Sequence, residues 1–213
     1  MHFSLFSGKP SGHSRLLMLA RKYCPDLRGK RVLAGGDDTG KLTDYLIAEF
    51  GANAHGIDKR NSRFNSKLSA VRQNRVLQGD LLNLEQHFGN EGFDVIFTHD
   101  VVSTAGQIVG RWPRLWRHSA SWRQNWSAKR VALFDRMDRR VRNTIAPRLH
   151  AALLRQLRPG GIIIHTVRQR EELGMTQRRF ERLGYRVLHL TANEAVLSRA
   201  NDPPPRIEAL SER

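Results

Sequence analysis

The sequence predicts an α/β fold built on a mainly parallel sheet, and three observations carry that expectation. Residues 31–58 read as strand, glycine-rich turn, helix, strand and terminal acid, a βαβ unit suited to a nucleotide. Apolar runs at 75–80, 93–98 and 162–167 follow, separated by stretches with helical periodicity. Two final strands, 185–191 and 195–200, flank Ala192-Asn193-Glu194, close enough for an antiparallel hairpin. At 213 residues the chain suits one α/β domain with a good core.

Composition narrows the class. Hydrophobic content is 39% and mean hydropathy −0.52, values of a soluble globular protein. No run approaches the roughly 20 apolar residues that span a bilayer, so no membrane role and a cytoplasmic location are expected. Cys24 is the sole cysteine, which excludes an internal disulfide and a cysteine-based zinc site. The nine histidines are scattered without metal-ligand spacing, so no metal is expected. The net charge of +16 and a pI near 11.3 favour polyanionic partners, because phosphate contacts release counterions. Of the 36 basic residues 29 are Arg, a bias that genomic base composition alone can also produce.

In chain order, residues 1–30 form an N-terminal helical segment. Its start contains Ser and Arg and faintly resembles an organelle transit peptide. Leu16, Leu17, Leu19, Ala20 and Tyr23 instead make an amphipathic helix running straight into the first strand. Val32-Leu33-Ala34 breaks into Gly35-Gly36-Asp37-Asp38-Thr39-Gly40. Glycine there lets the turn bend sharply and lets backbone approach a ligand. Leu42, Tyr45, Leu46 and Phe50 share one helical face, and the second strand ends on Asp58. Residues 61–73 read as a helix, Arg75–Asp80 as a third strand and 83–88 as a short helix. The fourth strand, Phe93–Thr98, is closed by His99-Asp100.

The segment 103–148 differs in chemistry. It holds eleven basic residues against two acidic ones, and all four tryptophans, Trp112, Trp116, Trp122 and Trp126. Helical spacing of Val131, Phe134, Met137, Val141 and Ile145 predicts one long helix over 129–145. Pro147 suits the first turn of a second helix, carrying Leu149, Leu153, Leu154 and Leu157. Arg158-Pro159-Gly160-Gly161 turns the chain into the fifth strand, Ile162–Val167. A helix at 170–183 stops at Gly184, and the tail 201–213, with Pro203-Pro204-Pro205, is expected to lack fixed structure.

These motifs, in order, resemble the class I methyltransferases that use S-adenosylmethionine. VLAGGDDTG at 32–40 looks like their glycine-rich first motif, and GID at 56–58 matches the acid ending the second strand. QGDL at 78–81, FDVIF at 93–97 and LRPGG at 157–161 are similar to the third-, fourth- and fifth-strand motifs. The resemblance covers about 31–200. It implies a doubly wound, Rossmann-like, seven-stranded sheet of order 3-2-1-4-5-7-6 with the last strand antiparallel, carrying 103–148 as a helical insertion. It also implies S-adenosylmethionine as cofactor, on Gly35, Gly36, Asp37, Gly40, Asp58, Lys59, Asp80, Leu81 and Thr98. Two positions depart from the family: Ala34 stands where an acid is usual, and Asp38 where the middle glycine is. Either Asp37 or Asp38 substitutes for that acid, or cofactor binding is weakened or lost. The competing dinucleotide fingerprint, G-x-G-x-x-G, is not supplied by residues 35–40.

Methyl transfer is an in-line displacement that needs positioning and exclusion of water, and a base only where the acceptor must lose a proton. His99 and Asp100 end the fourth strand, where open α/β sheets place ligands, and are the catalytic candidates. His99 suits a general base, or alternatively lines the pocket through hydrogen bonds. His165, on the fifth strand, is a weaker candidate. No Asn-Pro-Pro-Tyr or Asp-Pro-Pro-Tyr follows the fourth strand, which disfavours amino-methylating adenine enzymes. Cys24 precedes the first strand, which argues against cysteine-mediated cytosine methylation. In the Trp/Arg segment, Arg111, Arg114, Arg117 and Arg123 are the nucleic-acid candidates, with the aromatics stacking on bases. The alternatives are a lid over a small acidic molecule, or tryptophans that anchor a core as i,i+4 pairs. The expected function is methyl transfer to RNA or another nucleic acid. The alternatives are a small-molecule methyltransferase and a non-catalytic module binding RNA or protein.

Overall fold

A computed structural model describes residues 12–37, 40–59, 75–99, 101, 144–167 and 175–203. The helix expected at 61–73, most of the one at 129–145, and the tail from 204 onward lie outside these residues.

Helix α1 (Gly12–Tyr23) precedes strand β1 (Arg31–Gly35), helix α2 (Lys41–Phe50) and strand β2 (Asn53–Asp58). Strand β3 (Val76–Gln78) is followed by a 3-10 turn (Leu81–Asn83), the short helix α3 (Leu84–Phe88) and strand β4 (Phe93–His99). Helix α4, residues 144–155, leads into β5 (Leu157–Thr166), and α5 (Gln177–Arg182), β6 (Tyr185–Leu190) and β7 (Glu194–Arg199) follow. The seven strands form one sheet in the order β3-β2-β1-β4-β5-β7-β6. β7 runs antiparallel to both its neighbours, and the other pairings are parallel. This is the sheet expected from the sequence.

Both faces of the sheet are covered, which is why the central strands are nearly continuous apolar runs. Along each strand alternate residues serve opposite faces. Val32, Ala34, Val95, Phe97, Ile162 and Ile164 pack with Leu16, Leu17, Ala20, Leu42 and Leu46 of α1 and α2. Leu33, Ile96, Ile163 and Leu197 pack with Leu149 and Leu153 of α4, Leu84 and Phe88 of α3, and Phe180 of α5. Arg15 ties α1 to the sheet by donating to the Val167 carbonyl at 2.6 Å.

Four boundaries differ from expectation. β3 stops at Gln78, because Asp80 leaves the ladder and its carboxylate accepts from Leu82 N–H at 3.0 Å. α4 is already helical at 144, so Pro147 lies within the helix and does not open it. The Arg158–Gly161 turn belongs to β5, where a register shift against Phe93 and Val95 absorbs it and Gly160 takes φ +75°. Residues 175 and 176, inside the helix expected at 170–183, are not helical, so α5 begins at Gln177 after an extended Thr176, and residues 170–174 lie outside the described residues. At the start of the tail, Asp202 accepts from Gly160 N–H at 2.7 Å.

The core on the α4 face carries two histidines. His150 and His165 are fully buried, with ring centroids 5.4 Å apart. Among the described residues, both nitrogens of His150 and Nε2 of His165 lack a hydrogen-bond partner. Burial pushes His150 down to about 4 from 6.5, and holds His165 well below the ordinary histidine value, helped by the nearby His150 and His99. Both groups are therefore neutral when folded and bind protons more readily when unfolded. Stability is full above pH 6.5 and falls as pH drops toward 4, by on the order of 3 kcal/mol for His150 alone. Urea titrations across that range should show the slope, and His150→Leu should remove much of it; an unchanged slope would show that the acid sensitivity lies elsewhere.

Candidate functional site

The strand order reverses between β1 and β4, and the crevice at their C-terminal ends is where open α/β sheets take ligands. Gly35 of β1 lies beside Thr98 of β4 in the ladder. Gly36 follows at φ +77° and donates to the Ile57 carbonyl at 2.9 Å, which turns β1 sharply away from β2. A Cβ on Gly36 would come within 2.7 Å of Val101 Cγ2, and one on Gly35 within 2.9 Å of Leu81 Cδ2. Leu81 and Thr98 thus close against the backbone of the turn.

Asp37 is turned inward. It is 2% exposed, and its carboxylate accepts from Thr43 N–H at 2.8 Å, Thr43 Oγ1–H at 2.7 Å and Leu42 N–H at 3.3 Å. These amides belong to the first turn of α2, whose N–H groups have no partner within the helix. Gly40, at φ +65°, precedes that turn and donates to the Asp37 carbonyl. The Asp37 carboxylate therefore serves α2, and only its backbone is left to face the crevice. Thr43, which the sequence reading did not single out, packs where a Cβ on Gly56 would sit, 2.5 Å from Thr43 Oγ1.

Asp58 ends β2 half-buried, one strand away from the glycine turn. Lys59 Nζ lies 3.1 Å from Asp80 Oδ2, both side chains partly exposed, so the ends of β2 and β3 are bridged by an ion pair. Asp58, Lys59, Asp80 and Leu81 thus gather along the strand ends beside Gly35 and Gly36. Ala34 is fully buried among the residues facing α1 and α2, so no carboxylate reaches the crevice from that position.

His99 closes β4. Its Nδ1 lies 2.9 Å from Thr166 Oγ1, its register partner on β5. One residue earlier the pairing is reversed: Thr98 Oγ1 hydrogen-bonds His165 Nδ1, and those two are also register partners. Two Thr–His pairs, one on each face, therefore clasp the ends of β4 and β5. Thr166 is fully buried, and its bond with His99 Nδ1 avoids the roughly 1–3 kcal/mol cost of an unmade buried bond. Sequence reasoning missed Thr166 because the signal, Thr-His on one strand and His-Thr on the next, becomes visible only with the register. Asp100, Asp38, Arg111, Arg114, Arg117, Arg123 and the four tryptophans lie outside the described residues.

Removing the Asp37 carboxylate should cost about 1–3 kcal/mol, since it strands donors in the first turn of α2. Chemical denaturation of Asp37→Ala against the parent measures this; equal midpoints would rule out the capping role.

No protein-family model matches this sequence, and no curated protein does. Solved structures match by shape. The N-methyltransferase NodS from Bradyrhizobium japonicum WM9 is 13% identical, with 88% of this chain and 92% of that chain covered, at a TM-score of 0.50. Phosphoethanolamine N-methyltransferase 2 from Haemonchus contortus, in complex with S-adenosyl-L-methionine, is 18% identical over 86% of this chain and 40% of that one, at 0.50. The [4+2]-cyclase SpnF is 16% identical over 83% and 58%, also at 0.50. The chain thus spans less than two thirds of the last two proteins. The shared feature is the fold, which is that of the class I S-adenosylmethionine-dependent methyltransferases.

Proposed function

We propose that this chain is an S-adenosylmethionine-dependent methyltransferase whose acceptor is RNA or another nucleic acid. The observation that carries the cofactor reading is the crevice between β1 and β4. There a positive-φ Gly36 with no room for a side chain stands beside two strand-end acids, Asp58 and Asp80. S-adenosylmethionine is also the ligand of the Haemonchus contortus enzyme that shares this fold.

The residues present fit such a cofactor at its nucleoside end. Asp58 would accept hydrogen bonds from the ribose hydroxyls, with the Gly35 and Gly36 backbone lying close alongside. Asp80, already held by Lys59 and by Leu82 N–H, and Leu81 would border the adenine. The amino-acid end has no carboxylate from Ala34 and none from Asp37, so it must rest on backbone of the turn and on other groups at the rim. Bound there, the sulfonium supplies an electrophilic methyl group. His99, next to the glycine turn, would act as general base where the acceptor must lose a proton, or line the acceptor's pocket through hydrogen bonds.

The nucleic-acid acceptor rests on charge. Nine of the net sixteen positive charges fall in 103–148, together with every tryptophan, and the segment leaves the crevice at His99-Asp100. It is too long for a crossover alone, which roughly a dozen residues complete.

Asp58→Ala should weaken S-adenosylmethionine binding by about 1–3 kcal/mol in calorimetry while leaving the fold intact. Unchanged affinity in a folded variant would remove Asp58 from the site, and no binding by the parent would remove the cofactor reading. Replacing Arg111, Arg114, Arg117 and Arg123 by Ala should abolish RNA binding in filter titrations, and cofactor affinity should hold. A parent that retains no RNA at low salt would end the nucleic-acid reading, and a salt-insensitive parent whose variant loses turnover would favour a lid over a small molecule.

A further inference from the structure

Helices α4 and α5 lie side by side on one face of the sheet and point the same way. The ring centroids of His150 and Phe180 are 4.9 Å apart, and in the turn just past the end of α5 a Cβ on Gly184 would meet Leu154 Cδ2 at 3.4 Å. Position 148 is therefore level with 178, and 152 with 182. The inner stripes, Leu149, His150 and Leu153 on α4 and Phe180 on α5, are buried. The outer stripes carry Arg148 and Arg155 on α4 and Arg178, Arg179 and Arg182 on α5, all exposed. Within the two helices the only acid is Glu181, which accepts from Gln177. Arg155 is paired with Glu85 of α3 at 2.8 Å. Arg148, Arg178 and Arg182 have no salt bridge among the described residues.

The direction of the helices ties this face to the crevice. Phe93 N–H, at the start of β4, donates to the Gln156 carbonyl at 2.8 Å, so α4 ends at the opposite edge of the sheet from His99. Arg148, eight residues before that end, and the neighbouring Arg178 consequently lie on the side of the rim where the strands end. From there the cations descend the face: four residues separate Arg178 from Arg182, about 6 Å along the axis, and seven separate Arg148 from Arg155, about 10 Å. Neighbouring helices stand roughly 8–10 Å apart. Guanidinium groups meet phosphate oxygens bidentately in a way that ammonium groups do not.

We propose that the outer face of α4 and α5 is a docking track for the sugar-phosphate backbone of an RNA whose target nucleotide enters the β1/β4 crevice. The proposal rests on the nucleic-acid reading above and assigns to that substrate a surface separate from Arg111, Arg114, Arg117 and Arg123. Contacts of this kind hold a polynucleotide in register without reading its sequence.

The test compares three proteins by filter binding to a short single-stranded RNA at several salt concentrations. They are the parent, the triple variant Arg148→Gln, Arg178→Gln and Arg182→Gln, and a charge-matched control on the other side, Arg21→Gln, Lys22→Gln and Arg28→Gln. All three control positions are exposed and belong to α1 or the loop after it. The α4/α5 variant should bind less tightly, with its logarithmic salt slope shallower by about two for three lost phosphate contacts. The control should stay close to the parent. Circular dichroism and affinity for S-adenosylhomocysteine verify that each variant is folded. Equal weakening in both variants would overturn the track in favour of diffuse charge. Parent-like binding by the α4/α5 variant would overturn it too, leaving the nucleic-acid reading in place. A parent without RNA affinity would sink both.

Discussion

The crevice depends on one buried carboxylate. Asp37 reaches from the glycine turn into the start of α2 and satisfies amides that helix geometry leaves without partners. Its third bond, from the Thr43 hydroxyl, locks the first turn of the helix against the place where Gly56 has no side chain. β1, α2 and β2 are thereby fixed to one another through a single acid. The positive φ of Gly36 follows from this, since the chain must leave β1, pass Asp37 inward and re-emerge at Gly40. The positions of Asp58 and of the turn backbone are consequences of that anchoring.

The opposite wall is held differently. The crossed Thr–His pairs at the ends of β4 and β5 fix two side chains by hydrogen bonds between register partners, one pair on each face. The first wall is held by a carboxylate buried against helix amides, and the second by two threonine–histidine hydrogen bonds. A ligand placed between them meets one rigid backbone turn and one histidine anchored to its register partner.

Much of the fold was legible because the sheet is buried on both faces. Apolar runs such as Val95–Phe97 and Ile162–Ile164 signal themselves, and the acids and glycines between them mark the strand ends. What could not be read was the direction in which polar groups in turns face. Asp37 and Asp80 look alike in sequence as ligand-binding acids, yet the first is consumed by α2 and the second also caps the turn at Leu82. The helix-capping preference of Asp ahead of an amphipathic stretch was a usable signal for both. Pro147 misled because the residues that precede it already favour helix, and Arg158–Gly161 misled because glycine can be absorbed into a strand as an irregularity.

The same irregularities bear on self-association. A sheet of seven strands ends in two edges, each a potential template for a strand of another copy. At one edge β3 has only three residues, too short to recruit a partner firmly. At the other, β6 is interrupted by a register shift between Val187 and His189, and Arg186 spends its guanidinium on the Ala200 and Asp202 carbonyls at the same margin. A bulge raises local twist and bends an edge away from flatness. Among the described residues, both borders of the sheet are thus poorly shaped to take up a strand from another copy.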